Sequence, residues 1–407
     1  CDLSPKRRSI PHPSSRFGGQ TFTDSSNNIP HHPPLHMEQN NNRKPVIGIT
    51  HGDINGIGYE VLFKAFAEAN ITELFTPIIY GSAEAEAFWR NYLAVETAPW
   101  RKITTPGEAK EGEINLISCT TQNVQVEVGV PTPLAGRCAF DALERAMEDA
   151  LNNRIDALVT APINKATMPQ DLFPFKGHTD YLGAKCGLKE NESPLMILTS
   201  GDIRVALATT HVAISEVAGL LSESLLLEKL QAIESSMQRD FDIEKPRIAV
   251  LSLNPHSGDR GLMGREEIEI ITPTLQKARE QHKLLAFGPF AADGFWGSAE
   301  LYKYDAILAL YHDQGLAPFK SLFMNEGVNF TAGLPIIRTS PDHGTGYDIA
   351  GKNLASSASL SAAIYLAIDT IRRRNRYNYA RRNPLRKGYN ERGNDNEILA
   401  PTPHSEE

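Results

Sequence analysis

Four cysteines are spread over 407 residues, at Cys1, Cys119, Cys138 and Cys186, and no two of them form a CxxC pair. Their scarcity argues against a disulfide framework and a thiolate zinc centre, so a reducing cytoplasm is the expected compartment. No apolar run reaches the roughly eighteen residues that a membrane-spanning helix needs. The opening residues also lack the apolar centre of a secretory signal. An excess of one charge is missing too: 41 Lys and Arg face 49 Asp and Glu, and the formal net charge of −8 marks neither a nucleic-acid binder nor an acidic solvating protein. No GKS or GKT closes a phosphate loop. The glycine-bearing stretch from His51 to Gly58 misses the dinucleotide fingerprint because Val61 stands where its third glycine belongs.

What is present is an ordinary globular composition, 41% hydrophobic and 22% charged, in a chain long enough for two α/β domains with a cleft between them. Residues 1–43, rich in Pro, Ser, His and Asn, read as a disordered extension, and Met37 as the native start. After them strand and helix patterns alternate: KPVIGIT then YEVLFKAFAEA, TPIIYG then SAEAEAFWRNYL, AGRCAFDALERAMEDAL then IDALVTAPINK. That alternation predicts an α/β fold with a mostly parallel sheet. Ile214–Gln238 and Gly264–Glu280 read as covering helices, and ASSASLSAAIYLAIDTI as the helix that closes the fold. Residues 372–407 carry a run of arginines among Asn, Tyr and Gly and read as a basic, disordered tail. Nucleic acid is not an expected partner.

Three apolar strands end on histidine: IRVALATTH at His211, PRIAVLSLNPH at His256 and DAILALYH at His312. In an open α/β sheet the ligand crevice lies beyond the carboxyl ends of the strands, so residues distant in sequence converge there. Three imidazoles at such ends suit a catalytic divalent ion. His312 opens a polar turn, His312–Gly315, and beyond it Lys320, Asn329 and Arg338 stand in apolar or glycine-rich sequence, where an idle charge is costly to desolvate. Gly177-His178-Thr179-Asp180 precedes a helical pattern and offers backbone amides to an anion.

The pieces GDINGIGYE, GHTDYLG, RVALATTH, LNPHSGD with MGREE, YHDQGLAPFK and GVNFTAGLPIIRTSPDHGTGYDIAG, running from about Gly48 to Asp369, resemble the 4-hydroxythreonine-4-phosphate dehydrogenase family of pyridoxal phosphate biosynthesis. The resemblance implies two α/β/α domains like those of isocitrate and isopropylmalate dehydrogenases. Residues 44–165 and 331–371 would form the first, and residues 166–330 the second, which carries the metal site. It implies a homodimer whose active site is completed by the partner subunit, NAD or NADP as cofactor, and a divalent metal (Zn, Co or Mg) on His211, His256 and His312. Substrate contacts fall on His178, Thr179, Lys320, Asn329 and Arg338, with Lys320 assisting proton transfer and Asp313 as its competitor. DHGTGYDIAGK is similar to the cofactor loop of the isocitrate and isopropylmalate enzymes, which points to His343, Gly344 and Asp348. One departure is His51, where the family carries a proline. The implied reaction oxidises a phosphorylated hydroxy-amino acid to a β-keto acid that decarboxylates. The alternatives are a sister specificity for 4-phosphothreonate or 4-phosphoerythronate and, from another class, a zinc hydrolase.

Overall fold

A computed structural model describes residues 43–382 apart from 68–69, 121–122, 176 and 189–193; the readings made for residues 1–42 and 383–407 lie outside the described residues. The strands are β1 (Val46–Thr50), β2 (Thr76–Gly81), β3 (Arg101–Ile103), β4 (Asn115–Ser118), β5 (Ala157–Thr160), β6 (Leu195–Ser200), β7 (Ile203–Leu207), β8 (Arg247–Leu251), β9 (Leu285–Phe290), β10 (Ala306–Ala309), β11 (Val328–Ala332) and β12 (Arg338–Pro341). They join in one sheet of order β3-β4-β2-β1-β5-β12-β11-β6-β7-β10-β8-β9. The contacts β12–β11, β11–β6 and β6–β7 are antiparallel and lie together in the middle. On either side of them the pairs are parallel, as the strand–helix alternation predicts.

Burial explains which segments became strands. β2, β5 and β10 are buried along their whole length, as continuous apolar runs covered on both faces must be. The helix Pro133–Leu151 begins where Thr132 Oγ1 accepts from Ala135 N (3.2 Å) with a proline at its first position, and packs on β1, β2 and β5. β6 and β7 are antiparallel because only Gly201 and Asp202 separate them, with Gly201 at φ +53°, too short a link for a crossover.

Several expectations are corrected. Ile214–Gln238 is two helices, Ile214–Leu220 and Glu223–Asp240, broken where Ser222 Oγ accepts from Leu225 N and caps the second. His312–Gly315 is no turn but the first turn of the helix His312–Phe323. β3, β9, β11 and β12 went unread: RKI and RTSP are short and polar, β9 is interrupted by Gly288-Pro289, and VNFTA is a five-residue run with Asn329 and Thr331 at alternate positions. The closing helix spans Ala358–Arg381 and so runs past the expected tail boundary at 372. It continues because Arg374 is buried and donates from Nε to Asp240 Oδ1 at 2.6 Å, a contact no local pattern announces. Among the described residues no helix is long and apolar enough to cross a membrane.

Candidate active site

β7 and β10 are parallel neighbours, with Val205 opposite Ile307, so the residues following them emerge side by side. That register brings His211 and His312 together, with ring centroids 6.3 Å apart. Both line a cavity of about 320 Å³ shared with Thr209, Thr210, Tyr311 and Asp313. His312 Nδ1 lies 2.7 Å from Asp313 Oδ1; a carboxylate accepts, so in the neutral tautomer this contact favours the proton sits on Nδ1 and the lone pair on Nε2. The helix carrying His312 fits closely on the sheet because of Gly315, where a Cβ would lie 2.8 Å from Leu207 Cδ2 and 3.0 Å from Val205 Cγ1.

His256 follows β8, which pairs with β10 on its other side, but it does not line that cavity. Among the described residues no group of three His, Cys, Asp or Glu gathers closely enough to hold a metal. The structure therefore unites two of the three strand-end histidines. His256 begins a left-handed turn, with φ 51°, 52°, 76°, 39° and 57° from His256 to Arg260. Each of its four non-glycine residues costs roughly 1–2 kcal/mol in that region. The preceding loop is clamped: Glu267 Oε1 accepts from Leu253 N and Asn254 N at 2.8 Å each, and Oε2 from Asn254 Nδ2 at 2.9 Å. Gln314 ties the two loops together, accepting from Leu310 N (2.7 Å) and donating to Ser252 O (2.5 Å).

Arg338 opens β12 opposite Leu158 of β5, and its side chain runs along the sheet toward the strand ends. Nε and Nη2 donate to Thr160 Oγ1 (3.1 and 2.7 Å), and Nη1 donates to Thr331 Oγ1 (3.0 Å). Only 2% of it is exposed, and among the described residues it forms no ion pair. Burial lowers its pKa to about 9, which leaves it a cation at neutral pH. His178 and Thr179 form the first turn of the helix His178–Lys185. Burial first, then the charges of Arg338 and Lys165, push His178 well below the usual imidazole range, so the ring is neutral. Its Nε2 and the Oδ1 of Asn329 are buried without a hydrogen-bond partner. A buried cation with a neutral imidazole inside the range of its charge is a combination that can hold an anion.

Lys320 Nζ lies 3.2 Å from Asp342 Oδ1. Burial raises the Asp342 carboxyl, while Lys320, His343 and His312 pull it the other way. His343 Nδ1 lies 3.1 Å from Gly344 O, its Nε2 is buried and unpartnered, and Gly344 and Asp348 are exposed.

The sequence profile described as "Pyridoxal phosphate biosynthetic protein PdxA" matches residues 73–367. The chain belongs to that family. A relative from Bacteroides thetaiotaomicron named 4-hydroxythreonine-4-phosphate dehydrogenase is 51% identical over 363 residues, covering 89% of this chain and 98% of its own. The crystal structure bearing that name from Klebsiella pneumoniae has a TM-score of 0.69 at 32% identity, with 81% of this chain and 99% of that one covered. The one from Burkholderia phymatum has a TM-score of 0.66 at 34% identity over 81% and 99%. Membership makes the chain an enzyme, an oxidoreductase.

Against the family's motifs, the first loop proves to be scaffolding for the 343–348 loop. Tyr347 OH donates to Asp53 Oδ2 (2.7 Å) and Ile57 N to Thr345 O (2.9 Å). His51 is fully buried, its Nε2 3.3 Å from Cys138 O, and burial lowers it to about 4. Sequence reasoning missed Asp342, Thr160, Thr331, Glu267 and Gln314. Four of these sit inside quoted motifs, Asp342 in SPDHGT, Glu267 in MGREE, Gln314 in YHDQG and Thr331 in GVNFTAG, and Thr160 carries no local signal.

Proposed function

We propose that the chain oxidises the secondary alcohol of 4-phosphooxy-L-threonine with NAD or NADP, in pyridoxal phosphate biosynthesis. The β-keto acid so formed loses carbon dioxide to give 3-amino-2-oxopropyl phosphate. The observation that carries the reading is Arg338, a cation held by two threonine hydroxyls with no carboxylate among the described residues to neutralise it. A phosphate dianion supplies that missing charge and accepts the guanidinium bidentately.

The residues present fit the two groups the reaction needs. His211 and His312 suit a divalent ion as neighbouring imidazole ligands, with His256 as the third of the set, in a homodimer whose active site is completed by the partner subunit. The unpartnered His343 Nε2, the open space around Gly344 and the exposed Asp348 suit a nicotinamide cofactor. When bound, the ion acidifies the alcohol and polarises the ketone, and the nicotinamide takes the hydride. The chain's own residues do the rest. Arg338, with His178 and Thr179, fixes the phosphate end, and Asn329 orients the substrate through its free Oδ1. Lys320, steadied by Asp342, holds at Nζ the proton that replaces the departing carboxylate on the substrate carbon.

Purified protein with a divalent ion, NAD or NADP and 4-phosphooxy-L-threonine is expected to form reduced nicotinamide, read by absorbance. Chelation is expected to abolish that signal, and Zn²⁺, Co²⁺ or Mg²⁺ to restore it. Reduction with 4-phosphothreonate alone would transfer the proposal to the sister specificity, and turnover without nicotinamide would sink the dehydrogenase reading.

A further inference from the structure

We propose that Glu267 is the positioning residue for His256, the carboxylate that holds a strained turn in the shape that presents this imidazole to the ion. The inference rests on the metal reading given above and adds to it a residue outside the three ligands.

Five consecutive left-handed residues do not persist on local preference, since four of them carry a Cβ that disfavours the region. Something must over-determine them, and Glu267 is placed to do so. Only 3% exposed, it accepts from two successive backbone amides, Leu253 N and Asn254 N, and from the Asn254 side chain, just ahead of His256. It also lies close to the turn itself, since a Cβ added at Gly258 would come within 2.7 Å of Glu267 Oε2. The carboxylate thus clamps the entry to the turn and leaves no room for a side chain at its centre. Among the described residues it forms no ion pair, so its charge is spent on these N–H donors. It also begins a single wide helical turn, Glu267–Ile271, before the regular helix Thr272–Glu280, and such turns recur at functional sites. Carboxylates and amides that fix a ligand-bearing segment typically govern ion affinity about 10- to 100-fold without touching the ion.

The test titrates the metal-free full-length protein with Zn²⁺ alone by calorimetry and records melting temperatures in parallel. Glu267→Ala is expected to weaken zinc binding by about 10- to 100-fold. Glu267→Gln is expected to recover part of the loss, because its amide oxygen still accepts from both backbone N–H groups. Glu269→Ala, on the same segment but exposed and bonded to Arg265, is expected to bind like the parent. If Glu267→Ala does not fold, Glu267→Gln decides, and zinc binding weaker than the parent's is expected of it. Parental zinc affinity in Glu267→Ala, or in Glu267→Gln where the first is unfolded, overturns the proposal, and so does a lowered melting temperature with affinity intact. His256→Ala separates the premises. If it binds zinc like the parent, the assignment of His256 to the ion falls and this inference falls with it; if it binds weakly while Glu267→Ala does not, only this inference falls.

Discussion

Two arginines are buried in this fold to nearly the same depth, Arg338 at 2% exposure and Arg374 at 8%, and their surroundings are opposite. Arg374, on the closing helix, donates to Asp240 Oδ1 (2.6 Å) and to Pro335 O (3.0 Å), and Asp240 also receives Arg239 at 3.0 Å and Ser236 at 2.8 Å. Burial, the largest single influence on Asp240, raises its carboxyl, yet the combined pull of Arg374 and Arg239 wins and holds it below the usual range. Among the described residues Arg338 donates to hydroxyls alone. A buried cation with an acid beside it belongs to the architecture, whereas one with neutral partners is left poised for an anion from outside.

The largest effect that can break this contrast is on stability. Asp240→Ala leaves Arg374 and Arg239 without their carboxylate and is expected to cost about 3–5 kcal/mol in urea unfolding. Arg338→Met removes a cation that had no acid and is expected to change unfolding by less than about 1 kcal/mol. Equal losses in the two variants would erase the distinction.

On catalysis the order reverses. With phosphate held by charge-assisted hydrogen bonds worth about 1.5–3 kcal/mol, Arg338→Ala is expected to lower kcat/KM about tenfold to a few hundredfold. Arg338→Lys is expected to restore only part of it, and any turnover of an unphosphorylated analogue to be unaffected. Equal losses on both substrates with a lowered Tm would make Arg338 structural as well.

Acid is the next probe. His51 is lowered from 6.5 to about 4 by burial, so above pH 6.5 it is neutral in both folded and unfolded chains and contributes nothing. Between pH 6.5 and 4 the unfolded chain takes up a proton that the folded one refuses, and stability falls as pH falls, by about 2 kcal/mol at pH 5 at roughly 1.4 kcal/mol per unit. His178, also lowered, adds with the same sign. Asp240 acts in a separate, lower window: its stabilisation is intact above the ordinary aspartate pKa of about 4 and is lost only below it. His51→Gln is expected to flatten the loss between pH 6.5 and 5, and an unchanged slope in that variant would exclude His51 as its source.

The smallest effect concerns the end of the chain. Stopping after Arg382 is expected to change unfolding by less than about 0.5 kcal/mol, because the sequence beyond has little to add to a core. Stopping after Ile371 removes Arg374 and is expected to cost at least as much as Asp240→Ala. A tolerant Ile371 truncation would return the helix end to the solvated tail the composition suggests.

Much of this was legible locally. β2 matches its apolar segment TPIIYG residue for residue, and β7, β8 and β10 lie just ahead of His211, His256 and His312, because a strand buried on both faces must be apolar until it leaves the sheet. Lys320 and Arg338 stand out as charges in apolar surroundings, within motifs that carry the family resemblance. Less legible were the neutral and buried partners: Thr160 and Thr331 look like strand residues, Glu267 like one more charge on a covering helix, and Asp342 like a turn residue.

The sequence by itself determined the alternation of strand and helix, the positions of the polar residues at strand ends, and the presence of cations in apolar surroundings, since each follows from the pattern of neighbours along the chain. Only the tertiary structure decided which of these meet. Strand order sets β7 against β10 and so joins His211 to His312, while His256 follows β8 at the head of a left-handed turn. The register of β12 on β5 delivers the Arg338 guanidinium to Thr160, 178 residues away, and the closing helix persists to Arg381 with Arg374 paired to Asp240, 134 residues before it. Such pairings depend on how long loops close and which faces pack, and a burial cost or an ion pair has no value until the distant partner is in place.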